Sequence, residues 1–350
     1  MGTTYGFGII GTGMIGAFHA EAVRQLPNAK LVAVCDEVPG KAAQLSAKVG
    51  CEGMDSVEKM LARKDIDVVT IATPSGTHAD LAVAAKQGKH VSAEKPLDIT
   101  LDRIDRAIEA HEKAGTTLGG IFNFRFTETA RIFKQAVEQG RFGKLTYGLA
   151  YGPWWRDQSY YDSGGWRGTW ALDGGGALMN QGIHTIDQLQ WLMGPVKCVS
   201  AMCKCIAHER IEVEDTGVAT LEFANGALGT IACTTSMWPG HFRIVEVSGS
   251  DGTAALADQN FFFWQFRHET PADDEIRQKH MKFPTISIGA ANPSAGMTAD
   301  LHRENFAEFL RALDEKRRPA VDGREARKAV QIILAVYESA KQGGKPVEIR

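Results

Sequence analysis

The chain has 350 residues, 44% of them hydrophobic and 23% charged, with a formal net charge of -3 and a pI near 6.4. That length exceeds the usual ceiling for one core and predicts two domains. The faint acidity offers no basic footprint for nucleic acid, and no apolar run approaches the ~20 residues of a membrane span, so neither is an expected partner. No basic segment leads into an apolar stretch with a cleavage site at the N-terminus, so a cytoplasmic location is expected. The six cysteines include no C-x-x-C pair and read as buried reduced thiols, with no metal site.

The first predicted strand, residues 5–10, runs directly into Gly11-Thr12-Gly13-Met14-Ile15-Gly16. A helical pattern follows through residue 25, and a second strand at 30–35 ends in Asp36. Strand, glycines, helix, strand and acid in this order form the dinucleotide fingerprint in its required setting. Gly11 is expected to make the tight turn, Gly13 to let the backbone approach the pyrophosphate, and Gly16 to let helix pack on strand. The helix start at Met14 and Ile15 offers N–H donors to the phosphates. The Asp36 carboxylate suits a ribose 2′-OH and repels a 2′-phosphate, so NAD is expected over NADP, with Lys41 softening the preference.

The alternation continues with strands at 67–72, 90–93 and 117–122 and helices at 77–86 and 101–113. This predicts a doubly wound parallel sheet whose ligands lie at the carboxyl ends of its strands. Two loops after strands are therefore candidate site elements. Thr73, Pro74 and His78 suit the cofactor, although His78 reads equally as a packing residue at a helix start. Glu94-Lys95-Pro96 would bring an ammonium to the nicotinamide.

After Arg125 the pattern changes to a helix at 127–139 and a strand at 144–151. Then comes a stretch dense in aromatics and arginine: Trp154, Trp155, Arg156, Tyr160, Tyr161, Trp166, Arg167 and Trp170. Ring faces and guanidinium forks suit a sugar or polyol, though the same residues are enriched at oligomer interfaces. Gly174-Gly175-Gly176 then open a helix that stops at Gly194-Pro195. At ~100° per residue, Asn180, His184 and Asp187 share a polar front opposite Leu178, Ile186, Leu189 and Met193. That front is either a catalytic surface or a solvated one. Strands at 196–206, 215–223, 228–235, 243–248, 253–256 and 261–266, with a turn at Asn225-Gly226, predict a large, mostly antiparallel open sheet with one helix-covered face. Residues 270–296 show no period and read as a surface loop or arm. Helices at 298–313 and 324–342 close the chain.

Taken together, the glycine fingerprint, Ala72-Thr73-Pro74, Glu94-Lys95-Pro96, the segment 174–187 and Tyr337-Glu338-Ser339-Ala340-Lys341 resemble the Gfo/Idh/MocA oxidoreductase family. The resemblance spans nearly the whole chain. It implies a dinucleotide-binding Rossmann domain over residues 1–123 and a substrate-binding and oligomerisation α+β domain over 124–350, assembled as a homodimer or homotetramer. It makes Lys95 and His184 the catalytic residues, and Pro96 is expected to follow a cis peptide bond. Asn123, Arg156, Tyr161, Trp166, Arg167 and Asn180 join His184 as expected substrate contacts. Inositol dehydrogenases of the family carry Asp four residues before the histidine, where this chain has Asn180. An amide takes no proton, so Asn180 is expected to orient a substrate hydroxyl. The Trp166-Arg167-Gly168-Thr169 run and Asn180-Gln181 look closer to members acting on nucleotide-linked sugar acids or pyranosides. The expected activity is NAD-dependent oxidation of a ring hydroxyl of a sugar, sugar derivative or cyclitol. The alternatives are an NADP-linked reductase, a redox-neutral enzyme with tightly held NAD that oxidises a sugar transiently, and a non-catalytic NAD-binding regulator.

Overall fold

A computed structural model describes residues 3–283 and 298–350. The chain divides into two compact units, one formed by Met1–Asn123 with Thr298–Arg327 and the other by Phe124–Met297 with Lys328–Arg350. The first break falls after residue 123, and within the range 124–350, read from the sequence as one domain, Thr298–Arg327 returns to the first unit.

In the first unit, β1 (Tyr5–Ile10), β2 (Ala29–Cys35), β3 (Glu52–Met54), β4 (Val68–Ile71), β5 (His90–Ala93) and β6 (Leu118–Gly120) form a parallel sheet in the order β3-β2-β1-β4-β5-β6. Strands β1 and β4 are buried almost throughout, with apolar residues dominant and Thr70 the polar exception in β4, because helices cover both faces of such a sheet. The returning helix Asp300–Asp314 places Phe306, Phe309 and Leu310 in one buried cluster with Phe7, Val68 and Ile121. Phe306 meets Phe7 edge-on, with ring centroids 5.8 Å apart. Those apolar contacts are what claim the segment for this unit. The short β3 and the helices Lys41–Val49 and Val57–Leu61 lay below the reach of sequence periodicity.

In the second unit, β7 (Leu145–Pro153), β8 (Val196–Lys204), β9 (Thr216–Phe223), β10 (Leu228–Thr234), β11 (Ile244–Gly249), β12 (Gly252–Ala257), β13 (Asn260–Phe266) and β14 (Val347–Glu348) form one sheet. Its order is β13-β12-β11-β7-β10-β9-β8-β14, parallel between β7 and β10 and antiparallel elsewhere. The helix Ile183–Met193 packs on β7 and β11, and Glu128–Glu138 packs on β12. The opposite face presents Tyr147, Met202, Val218, Leu228 and Phe263 to solvent.

Two expectations in this unit change. The aperiodic stretch from residue 270 contains a helix, Pro271–His280, begun by a capping box between Thr270 and Asp273; residues 284–296 of that stretch lie outside the described residues. The helix expected from Gly174 starts as a π-helical turn, Ala177–Gly182, before becoming α-helical over Ile183–Met193. All six cysteines are free; Cys35 and Cys233 are buried, whereas Cys205 is exposed. Among the described residues, no helix is long and apolar enough to cross a membrane.

Candidate active site

The first unit builds a dinucleotide cradle from its backbone. Gly11 sits at φ +93° between β1 and the helix Met14–Arg24. A Cβ at Gly16 would lie 2.0 Å from the Gly11 carbonyl oxygen, so only glycine lets this helix pack so close, whereas a Cβ at Gly13 would meet nothing within 4 Å. That open space borders a helix start with no side-chain cap, so the first N–H groups, at Met14 and Ile15, remain for an anion. Asp36 stands just after β2, accepting from the Thr12 N–H at 2.9 Å, the Thr12 hydroxyl at 2.8 Å and the Val38 N–H at 3.0 Å. Burial raises its pKa, but these bonds and the Lys41 charge outweigh burial and hold the carboxyl below its ordinary value. It is thus an ionised acceptor, the state that binds a ribose diol and repels a 2′-phosphate. These residues fit a nicotinamide dinucleotide.

His78 is buried with both ring nitrogens at 2.8 Å from carbonyl oxygens, those of Thr73 and Pro96. It ties the Thr73-Pro74 loop to the loop carrying Lys95, which is the packing alternative foreseen for it. The Lys95-Pro96 bond is cis. Glu94 is buried beneath Lys95, its Oε1 3.0 Å from His19 Nε2 and 3.3 Å from His302 Nε2, while Oε2 takes the Lys95 N–H at 3.1 Å. Burial pushes the carboxyl up, yet the two imidazoles outweigh it and hold the group well below its usual range. Glu94 therefore supports the loop from within. Asn123 joins the same cluster, its Nδ2 3.4 Å from His302 Nε2.

In the second unit, Asp187 departs from the expected polar front. It is 1% exposed and takes a two-pronged bond from Arg125, Nη2 to Oδ1 at 2.6 Å and Nε to Oδ2 at 2.7 Å. The π-helical turn shifts the phase of the helix, so a uniform 100° reading does not carry through it. His184 is half-buried, edge-on to Phe124 with centroids 5.0 Å apart. Asn180 donates to Asp173 Oδ1 at 2.6 Å and accepts from Gln181 Nε2 at 3.2 Å. Gln181 also donates to the Tyr160 hydroxyl at 2.9 Å and accepts from Arg156 Nη2 at 2.8 Å. One polar network thus joins the aromatic stretch to the start of the His184 helix. Arg167 lies over the rings of Tyr160 and Trp166, 4.6 and 5.2 Å from their centroids. Tyr161 turns inward, its hydroxyl 2.8 Å from Thr235 Oγ1 and its ring against His208.

Three supports went unseen in the sequence: Asp173, Arg125 and Glu214. None sits in a periodic element that would have marked its facing. Glu214 is buried and accepts from the N–H groups of Gly176 (3.0 Å) and Leu178 (2.8 Å) and from the Tyr337 hydroxyl (2.9 Å). A Cβ at Gly176 would fall 1.9 Å from the Glu214 carbonyl oxygen, which explains the glycine. Burial pushes the Glu214 pKa from 4.5 up to about 7 despite those three donors. Between these values the folded protein keeps a proton that the unfolded chain has released, so stability falls as pH rises, by at most ~1.4 kcal/mol per pH unit. Glu214→Gln is expected to flatten that slope in urea midpoints measured across this window; an unchanged slope would refute the assignment.

Comparison with known proteins agrees with this geometry. Residues 5–121 match the oxidoreductase family with an NAD-binding Rossmann fold, and residues 130–255 match the GFO/IDH/MocA C-terminal domain. The chain is 28% identical to the myo-inositol 2-dehydrogenase of Thermotoga maritima over 342 residues, covering 96% of each. It is 30% identical to the Bacillus subtilis scyllo-inositol 2-dehydrogenase (NAD(+)) over 252 residues, 70% of this chain and 71% of that one. Among solved structures, the WlbA dehydrogenase of Bordetella pertussis in complex with NADH and UDP-GlcNAcA superposes with a TM-score of 0.89 at 33% identity, covering 100% of this chain and 99% of that chain. With both of its domains matched and the cradle intact, the chain belongs to the Gfo/Idh/MocA family of NAD-binding oxidoreductases.

Proposed function

We propose that the protein is an NAD-dependent dehydrogenase that oxidises a ring hydroxyl of a sugar, sugar derivative or cyclitol. The observation that carries this reading is the ionised Asp36 beside an open glycine cradle, in a chain whose relatives are inositol and sugar dehydrogenases. The bound nicotinamide would supply the hydride acceptor. Lys95 stabilises the alkoxide as the C–H bond is lost, His184 accepts the hydroxyl proton, and Asn180, oriented by Asp173, holds a hydroxyl in place. Incubating the protein with NAD and a panel of inositols, pyranosides and UDP-linked sugars is expected to yield NADH with one class. Tight cofactor binding without NADH across the panel would favour the redox-neutral or regulatory alternatives.

Within that panel we place a nucleotide-linked sugar acid first. Support comes from the whole-length likeness to a dehydrogenase crystallised with UDP-GlcNAcA, and from Arg167, which lies over two aromatic rings with a buried Nε that has no hydrogen-bond partner among the described residues. A preference for myo-inositol would overturn this choice. Asp36→Ser is expected to improve NADP use relative to NAD by roughly tenfold to a hundredfold, the value of one repulsive charge at a specificity site. An unchanged cofactor ratio would reject Asp36 as the selector. The apolar sheet face of Tyr147, Met202, Val218, Leu228 and Phe263, exposed among the described residues, supports a homo-oligomer built on that face, which light scattering on the purified protein would measure.

A further inference from the structure

The helix Asp300–Asp314 brings His302 back to the first unit, 208 residues after its partner Glu94, and His302 has no place in the family's expected site. We propose that His302 is a positioning residue for Lys95, acting through Glu94, an inference that rests on the reading of Lys95 as a catalytic group. Three observations carry it. First, Glu94 shares a single oxygen, Oε1, between imidazoles from two separate helices, which fixes the plane of its carboxylate. Second, each imidazole is itself held: His19 by Thr70 Oγ1 at 2.9 Å, and His302 by a parallel stack on Phe18 with centroids 6.4 Å apart. Third, the remaining oxygen, Oε2, receives the Lys95 N–H, so the carboxylate's orientation is passed to the backbone of the lysine. His19 alone holds Oε1 from one side, while His302 adds a second anchor on the same oxygen from another helix and narrows the arc through which the carboxylate can swing.

The three side chains also have the ligand types of a cation site, with donor atoms within 4.8 Å of one another. Their N···O separations of 3.0 and 3.3 Å are those of N–H···O hydrogen bonds, so the geometry favours a proton-linked brace. A displacement of ~1 Å at a catalytic group costs on the order of a hundredfold in rate.

The test is a double-mutant cycle between His302 and Lys95 on the full-length protein. His302→Phe keeps the ring stack and loses the donor, and His302→Gln keeps a donor. In the Lys95 background, H302F is expected to lower kcat by roughly tenfold to a hundredfold with KM for NAD little changed, and H302Q to restore most of the loss. In the K95M background the same H302F change is expected to cost less than about twofold, because the residue it positions is gone. Equal losses in both backgrounds, or equal impairment by H302F and H302Q, would overturn the inference by showing a merely structural role. Full turnover by K95M alone would instead overturn the assignment of Lys95, and the inference with it.

Discussion

Lys95→Met is expected to lower kcat/KM by roughly a hundredfold to a thousandfold while NADH still binds, because methionine keeps the apolar stem and removes the cation. A preorganised donor at an oxygen gaining charge contributes about 3–4 kcal/mol to the barrier, which is the size of that loss. His184→Ala removes the proposed proton acceptor instead, and general-base catalysis accounts for ~10²–10⁴ in rate. The two losses should not multiply in the double variant, since each residue acts on the same proton-coupled step. Steady-state kinetics on the preferred substrate, paired with NADH titration, separates chemistry from binding. Wild-type turnover in both single variants would sink the catalytic assignment.

Asp187→Ala should act on stability. Arg125 and Asp187 have side chains 2% and 1% exposed, so removing the carboxylate leaves a buried guanidinium with its principal counter-charge gone. Breaking such a pair costs about 3–5 kcal/mol. At ~2–4 °C per kcal/mol for a unit of this size, the melting transition of the second unit should fall by roughly 10 °C. Replacing both partners together, Arg125→Met with Asp187→Leu, should recover most of the loss, since neither charge then remains buried. Thermal unfolding of the wild type and the two variants measures this; a fall of less than about 1 kcal/mol in D187A would show that the pair is dispensable.

How far the sequence could be read depended on the range of the interactions. Apart from the short β3 and the two helices beside it, the parallel sheet was legible because each strand–helix–strand unit is specified within about thirty consecutive residues, and the Asp36 carboxylate lies a fixed distance beyond Gly16. The antiparallel sheet followed from alternation, as in β9, where Val218 and Thr220 face solvent between buried Gly217, Ala219 and Leu221. What escaped was set by partners distant in the chain. Asp187 looked like part of a polar front because nothing local reveals Arg125, 62 residues away. Glu214 stabilises a helix start 36 residues earlier, and the π-helical turn it holds broke the helical arithmetic in the segment that leads to His184. His302, on the helix Asp300–Asp314, drew no reading because its partner Glu94 lies 208 residues earlier in the chain.

The return of Thr298–Arg327 to the first unit bears on the order in which this protein is made. A ribosome releases the six parallel strands long before it releases Phe306, Phe309 and Leu310, which complete the cluster containing Phe7, Val68 and Ile121. During that interval the nascent Rossmann sheet has an unsealed apolar flank, the kind of surface chaperones engage. The second unit waits as well, because Lys328–Arg350, which brings Tyr337 to Glu214 and β14 to the edge of the antiparallel sheet, emerges last of all. A fragment ending at Asn123 would keep the cofactor fingerprint and lose its seal, and NAD-binding modules excised there should aggregate unless the closing helix is supplied in trans.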